Sequence, residues 1–223
     1  MQAKTAIVLG ATGLTGSILL NKLLADDRYA KIKVFGRSHV KAKSEKLEEY
    51  LIDLFELEKF SELFMADEVY CCIGSTKKKT PDSDIYRKVD FGIPATAAWL
   101  CKHNNIDTFL VISAMGAKED SKVFYNRIKG EMEGAVLAQN IPNTYILQPA
   151  LIGGKREEVR PMEFAFKNVM KIVDKFLLGD LKKYRTIEPD TIATAMIHLA
   201  NSRQTSGKIE SHIIKEIVQN ENY

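Results

Sequence analysis

The sequence predicts an α/β fold, a doubly wound and mostly parallel sheet with helices on both faces. Three observations predict it. Short apolar runs rich in β-branched residues alternate with amphipathic stretches from the first residues onward. Six such strand–helix alternations follow one another through short connections, as crossover units do. The first apolar run also passes straight into a glycine turn, G-A-T-G-L-T-G at 10–16, and then into a helix. No internal repeat, low-complexity tract or Gly/Ser/Pro-rich linker divides the chain, so residues 1–223 are expected to form a single domain.

Each element has its own signal. T-A-I-V-L (5–9) reads as a buried strand ended by a glycine. In S-I-L-L-N-K-L-L (17–24) the apolar positions 18, 19, 20, 23 and 24 lie on one helical face. I-K-V-F (32–35) is the second strand, and E-Y-L-I-D (49–53) holds the third. A short helix over 56–65 precedes a fourth strand, E-V-Y-C-C-I (68–73). The helix expected over 84–103 contains Pro94, which removes one backbone donor and so kinks or divides it. T-F-L-V-I-S (108–113) is the fifth strand, 121–139 a helix, and T-Y-I-L-Q (144–148) the sixth strand. The polar segment 150–188, broken by Gly153-Gly154 and amphipathic at 162–178, is expected to form a small C-terminal extension on the substrate side. Pro189-Asp190 starts a final helix over 189–202.

Composition narrows the function. With 45% hydrophobic and 27% charged residues the chain has a globular composition and can bury a core. Its formal charge of +3 is too small to imply nucleic acid or an anionic membrane as partner. Cys71, Cys72 and Cys101 form no C-x-x-C pair, and the four histidines stand at no metal-ligand spacing, so neither a disulfide framework nor a metal site is expected. Without a signal-peptide pattern or a membrane-length apolar run, a cytoplasmic location is the expectation. The basic stretch T-K-K-K-T-P-D-S-D (76–84) reads as a solvated loop ahead of the alternative, a grip on an anionic substrate.

The glycine turn carries the first chemical signal. Gly10 permits a tight turn, Gly13 the close approach of a pyrophosphate, and Gly16 the packing of the helix. Thr12 takes the place of a middle glycine, while Leu14 and Thr15 open the helix whose free N–H groups favour an anion. Gly16 is followed by Ser17-Ile18 rather than Lys-Ser/Thr, which argues against a nucleotide-triphosphatase loop. The second strand ends in V-F-G-R-S-H, with Arg37 where NAD-preferring sites place an acid, so the expected cofactor is NADP ahead of NAD. Asp53, with Leu54 beside it, either meets the adenine or caps the next helix. Cys72 is expected to touch adenosine through its backbone.

In F-Y-N-R-I-K-G-E (124–131), Tyr125 and Lys129 share one helical face. A tyrosine titrating near 10 is a poor proton shuttle at neutral pH. A lysine charge about 4 Å away lowers that value by roughly three units as an upper bound.

Taken together, G-A-T-G-L-T-G, C-C-I-G (71–74), S-A-M-G-A (113–117), Tyr125-x-x-x-Lys129 and Q-P-A-L-I (148–152) resemble the short-chain dehydrogenase/reductase superfamily, a Rossmann-type fold. The similarity is to the atypical branch that includes the Tat-interacting-protein oxidoreductases. It implies Tyr125 as general acid or base, Ser113 as hydrogen-bond partner of the substrate carbonyl, and Lys129 holding the nicotinamide ribose. It also implies Ile73 and Gly74 on the adenosine side and Pro149 and Ile152 beside the nicotinamide. Two departures stand out: Cys71-Cys72-Ile73-Gly74 replaces Asn-Asn-Ala-Gly, and Asp90 stands nearest to the Asn of the usual proton relay. The expected function is an NADP-dependent oxidoreductase of a small carbonyl or alcohol. The alternatives are an NADP-sensing regulatory protein that acts through a protein partner, and third a nucleotide-sugar epimerase or dehydratase.

Overall fold

A computed structural model of the chain describes residues 3–153, 185–202 and 204–220. Strand β1 (Lys4–Leu9) leads into helix α1 (Leu14–Ala25), then β2 (Tyr29–Gly36) and β3 (Leu47–Leu51). A 3-10 helix, Leu54–Phe60, precedes β4 (Glu68–Cys71). Next come α2 (Ser83–Arg87), a widened π turn over Lys88–Gly92, and α3 (Ile93–His103). The described chain continues through β5 (Thr108–Ile112), α4 (Phe124–Leu137), β6 (Asn143–Gln148), α5 (Pro189–Asn201), β7 (Gly207–Glu210) and α6 (Ser211–Asn220).

The strands form one parallel sheet in the order β3-β2-β1-β4-β5-β6-β7. From β1 the chain steps outward to β3 and then returns to the other side of β1 with β4. The C-terminal ends of β1 and β4 therefore frame the crevice where open α/β sheets bind ligands. Alternation along β1 sorts its side chains between two cores. Ala6 and Val8 join Leu19, Leu23, Ile192, Met196 and Ile214 on the face of α1, α5 and α6. Ile7 and Leu9 join Leu57, Phe64, Ala97, Leu100, Met132 and Val136 on the other face.

The doubly wound Rossmann-type sheet is thus as expected, with β7 and α6 added beyond the six predicted alternations. Only Ile209 of β7 is buried, so no apolar run marked it. Helix α1 begins at Leu14, three residues before the periodic apolar stretch, because the glycine turn itself starts the winding. The helix expected over 84–103 runs without a break from Ser83 to His103 but loosens into the π turn just before Pro94, whose missing N–H removes a regular helical bond. Residues 154–184, which hold the amphipathic stretch at 162–178 and most of the proposed extension, lie outside the described residues. Ile152 and Ile187 pair in parallel on either side of that gap.

At the N-terminal end of the sheet a buried polar knot binds four elements. Glu68 accepts from the phenol of Tyr29, from that of Tyr70 at 2.6 Å and from Lys4 Nζ at 2.9 Å, while Asn201 donates to the Tyr29 oxygen at 2.8 Å. Burial first, then the Glu68 charge, pushes both phenols far above their ordinary range.

Candidate functional site

The glycine turn is built as tightly as its spacing requires. Gly10 has φ +82, and a Cβ there would stand 2.8 Å from the backbone carbonyl of Cys72. The Gly13 N–H donates to Gly10 O at 2.9 Å, closing the turn. A Cβ on Gly13 would lie 3.2 Å from that same oxygen. At Gly16 it would lie 2.1 Å away, so α1 packs directly on the turn rather than on the strand body. No side chain caps the N-terminus of α1, and no acid stands in its first turn. An uncapped helix start above a glycine cradle fits a pyrophosphate. Gly16→Ala is expected to destabilise the chain by roughly 1–3 kcal/mol through overpacking, seen in urea unfolding, and to weaken dinucleotide binding in calorimetry.

A cleft of about 750 Å³ opens at the switch point. Gly10, Thr12 and Gly13 form one wall; Arg37, Asp53 and Leu54 form the end beside β2 and β3; and Cys72, Ile73 and Gly74 line the β4 side. Leu14, Thr15 and Gly16 stand just behind, in the first turn of α1. Arg37 is exposed at the cleft mouth, and a smaller hollow of about 390 Å³ adjoins it. Asp53 caps the 3-10 helix, with Oδ1 accepting from the Phe55 N–H at 3.0 Å. It lies two residues past β3, which is shorter at its C-terminal end than the sequence suggested. The thiol of Cys72 is pushed up by burial, leaving its backbone as the part suited to contact.

The residues expected to act on substrate lie beyond this wall. Lys129 and Asp90 are 3% and 0% exposed, and they form an ion pair at 3.1 Å. A Cβ on Gly74 would stand 3.5 Å from Asp90 Oδ1 and 3.7 Å from Lys129 Nζ, so the bare glycine places the cleft floor directly over the pair. The other oxygen of Asp90 accepts from the Ser75 N–H at 2.8 Å, and Lys129 also donates to Ile112 O at 3.4 Å. Asp90 belongs to the π turn, a distortion found often where a side chain must be aimed at a site.

Lys129 acts on Tyr125 in the expected direction, lowering its pKa, but other causes outweigh it. Tyr125 is 40% exposed and its pKa is raised. Burial of the phenol is the largest cause; Lys129 opposes it and Asp90 reinforces it. The carboxylate beside the ammonium offsets much of the charge that would have stabilised a phenolate.

Ser113 is 3% exposed, and its hydroxyl donates to the carboxylate of Glu133. Glu133 is fully buried; it also accepts from Gln148 Nε2 at 2.9 Å and pairs with Lys208 Nζ at 2.8 Å. In this arrangement the Ser113 proton is already committed, in contrast to the role of donor to a carbonyl. Tyr125, Lys129 and Glu133 follow at intervals of four along α4 and form one stripe. Pro149 O accepts from the Met115 N–H at 3.0 Å, and Ile152 pairs with Ile187, so neither joins the cleft wall. The sequence reading missed Glu133 as a member of the site. Its only signal was its place on that stripe, two turns beyond Tyr125.

A parallel sheet with its switch-point cleft, glycine cradle and uncapped helix start defines a Rossmann-type NAD(P)-binding protein. A family model described as NAD(P)H-binding matches residues 10–148. The chain belongs to that family, among the atypical short-chain dehydrogenase/reductases. It is 29% identical over 168 residues to rat Protein HTATIP2, covering 74% of this chain and 69% of that one. To Protein fmp52, mitochondrial, of Aspergillus clavatus it is 30% identical over 203 residues, covering 86% and 84%. Among solved structures, the Bordetella bronchiseptica enzyme WbmH in complex with NAD+ superimposes with a TM-score of 0.71, covering 94% of this chain and 75% of that one. At 14% identity that is a likeness of fold. The fungal relatives are named as mitochondrial proteins, which overturns the expected cytoplasmic location. Among the described residues no helix is long and apolar enough to cross a membrane.

Proposed function

We propose that the chain is an NADP-dependent reductase of a small carbonyl compound, with Tyr125 as the proton donor. The observation that carries this reading is the Tyr125–Lys129 stripe of α4, with Lys129 paired to Asp90 directly beneath the cleft floor at Gly74. A phenol held protonated at neutral pH suits giving a proton to a carbonyl oxygen better than taking one from an alcohol. The nicotinamide supplies the hydride. Gly10, Thr12 and Gly13 with the start of α1 would hold the pyrophosphate, and the floor at Gly74 would set the dinucleotide above Lys129. Arg37 at the end of β2, with no acid in V-F-G-R-S-H, supports NADP over NAD.

Calorimetry with NADPH and NADH, followed by NADPH consumption against a panel of small aldehydes and ketones, tests the proposal. Tighter NADPH binding and turnover of at least one carbonyl are expected. A second reading, an NADP-sensing protein with little turnover, draws support from the Ser113 proton being committed to Glu133. Tight NADPH binding with background consumption across the panel would favour that reading instead.

A further inference from the structure

The basic stretch at 76–84 does more than face solvent. Lys79, Thr80 and Pro81 lie in the wall of the same cleft as Gly10 and Gly13. The stretch is held there by its own bonds. The N–H groups of Lys79 and Thr80 each donate to Thr76 O at 2.9 Å, forming a compact turn. Its two ends are joined by the Ser75 and Thr80 hydroxyls at 2.7 Å. Ser75 is in turn fixed by its N–H to Asp90, the partner of Lys129.

The three lysines are not equivalent. Lys77 is occupied: its Nζ donates to Ser83 Oγ at 2.7 Å and lies 5.1 Å from the centre of the Phe124 ring. Lys78 is exposed and outside the cleft wall. Lys79 is in the wall and has no acidic partner among the described residues. The two acids that share the wall are engaged as helix caps: Asp53 accepts from Phe55 N–H, and Asp82 accepts from Asp84 and Ile85 N–H at 2.8 and 2.9 Å. A cation without an acidic partner, across a cleft from an uncapped helix start, is placed to share an anion with that helix.

We propose that Lys79 is a second binding group for the pyrophosphate of the dinucleotide, facing the glycine cradle from the β4 side. Its role differs from that of Arg37. A pyrophosphate is common to NAD+ and NADP+, whereas Arg37 reads only the extra ribose phosphate. The inference rests on the dinucleotide reading above, and the test separates the two.

The full chain, with Lys79→Met, Arg37→Met and Lys78→Met, is titrated with NADP+ and with NAD+ in a calorimeter. Lys79→Met is expected to weaken both nucleotides by the same factor, about tenfold for a lost charge-assisted contact. Arg37→Met is expected to weaken NADP+ alone, and Lys78→Met to leave both unchanged. Unaltered affinities in Lys79→Met would overturn the proposal, as would a loss confined to NADP+, which would move Lys79 to the ribose phosphate. A similar loss in Lys78→Met would also overturn it, because the effect would then be one of general charge. A wild-type chain that binds neither nucleotide would remove the dinucleotide reading itself.

Discussion

Tyr125→Phe is expected to lower NADPH-dependent carbonyl reduction by at least about 100-fold while leaving dinucleotide affinity unchanged. Phenylalanine keeps the ring and the helix and removes only the transferable proton. Because Tyr125 is 40% exposed, the substitution disturbs no packed core. The pH dependence follows from the direction of the shift. The folded-state pKa is raised above the ordinary tyrosine value near 10, so the donor stays loaded through neutral pH. Reduction should therefore be insensitive to Tyr125 ionisation from about pH 6 to 9 and fall only as the phenol loses its proton above that ordinary value. The reverse oxidation should rise over the same alkaline range. Asp90→Asn removes a group that raises the Tyr125 pKa and leaves the Lys129 charge opposed by less, so the alkaline limb should move to lower pH. NADPH consumption across pH for the three proteins checks all of this. Wild-type rates in Tyr125→Phe would remove tyrosine as the acid.

Asp90→Ala is expected to cost about 3–5 kcal/mol of stability, because it strands the Lys129 ammonium in a buried site. The Lys129 side chain is 4% exposed and that of Asp90 1%, so neither charge has water to fall back on. The Ser75 N–H loses its acceptor as well. The double variant Asp90→Ala/Lys129→Met removes both charges and should recover a large part of the loss. Urea unfolding measures this, with the midpoint falling at unchanged slope for a change in stability alone. A loss below about 1 kcal/mol in Asp90→Ala would mean that the pair behaves as a solvated one.

The sheet, the glycine turn and the Tyr125–Lys129 spacing could be read from the sequence because each is local. Strand β1 is an unbroken apolar run, the three glycines stand at fixed offsets, and the pair needs only helical geometry. Pro94 likewise announced an irregular helix. Asp90 was noticed only as the residue nearest an expected Asn. Its partner lies 39 positions along the chain, and their meeting depends on how the π turn rotates it toward α4. Ser113 was identified by resemblance, but the direction of its hydrogen bond depends on Glu133, Gln148 and Lys208, which come from three separate elements. Strand β7 was missed because a short edge strand with one buried residue leaves no pattern to detect. The role of Lys79 was hidden for a similar reason, since a lysine in a run of three gives no sign of which one faces a cleft.

The π turn holds one residue more than an ordinary helical turn. Over Lys88–Gly92 the helix winds more loosely than the α-helices on either side, with Ile93 N–H reaching back to Lys88 O. A single-residue deletion there would let ordinary winding resume. Because the wider turn carries its extra residue over nearly the same rotation, the helices on either side would keep their phase. Tyr86 would keep its packing against Phe124, while Asp90, inside the turn, would be displaced from Lys129. The surplus residue thus serves one side chain: it aims a carboxylate without turning the rest of the helix.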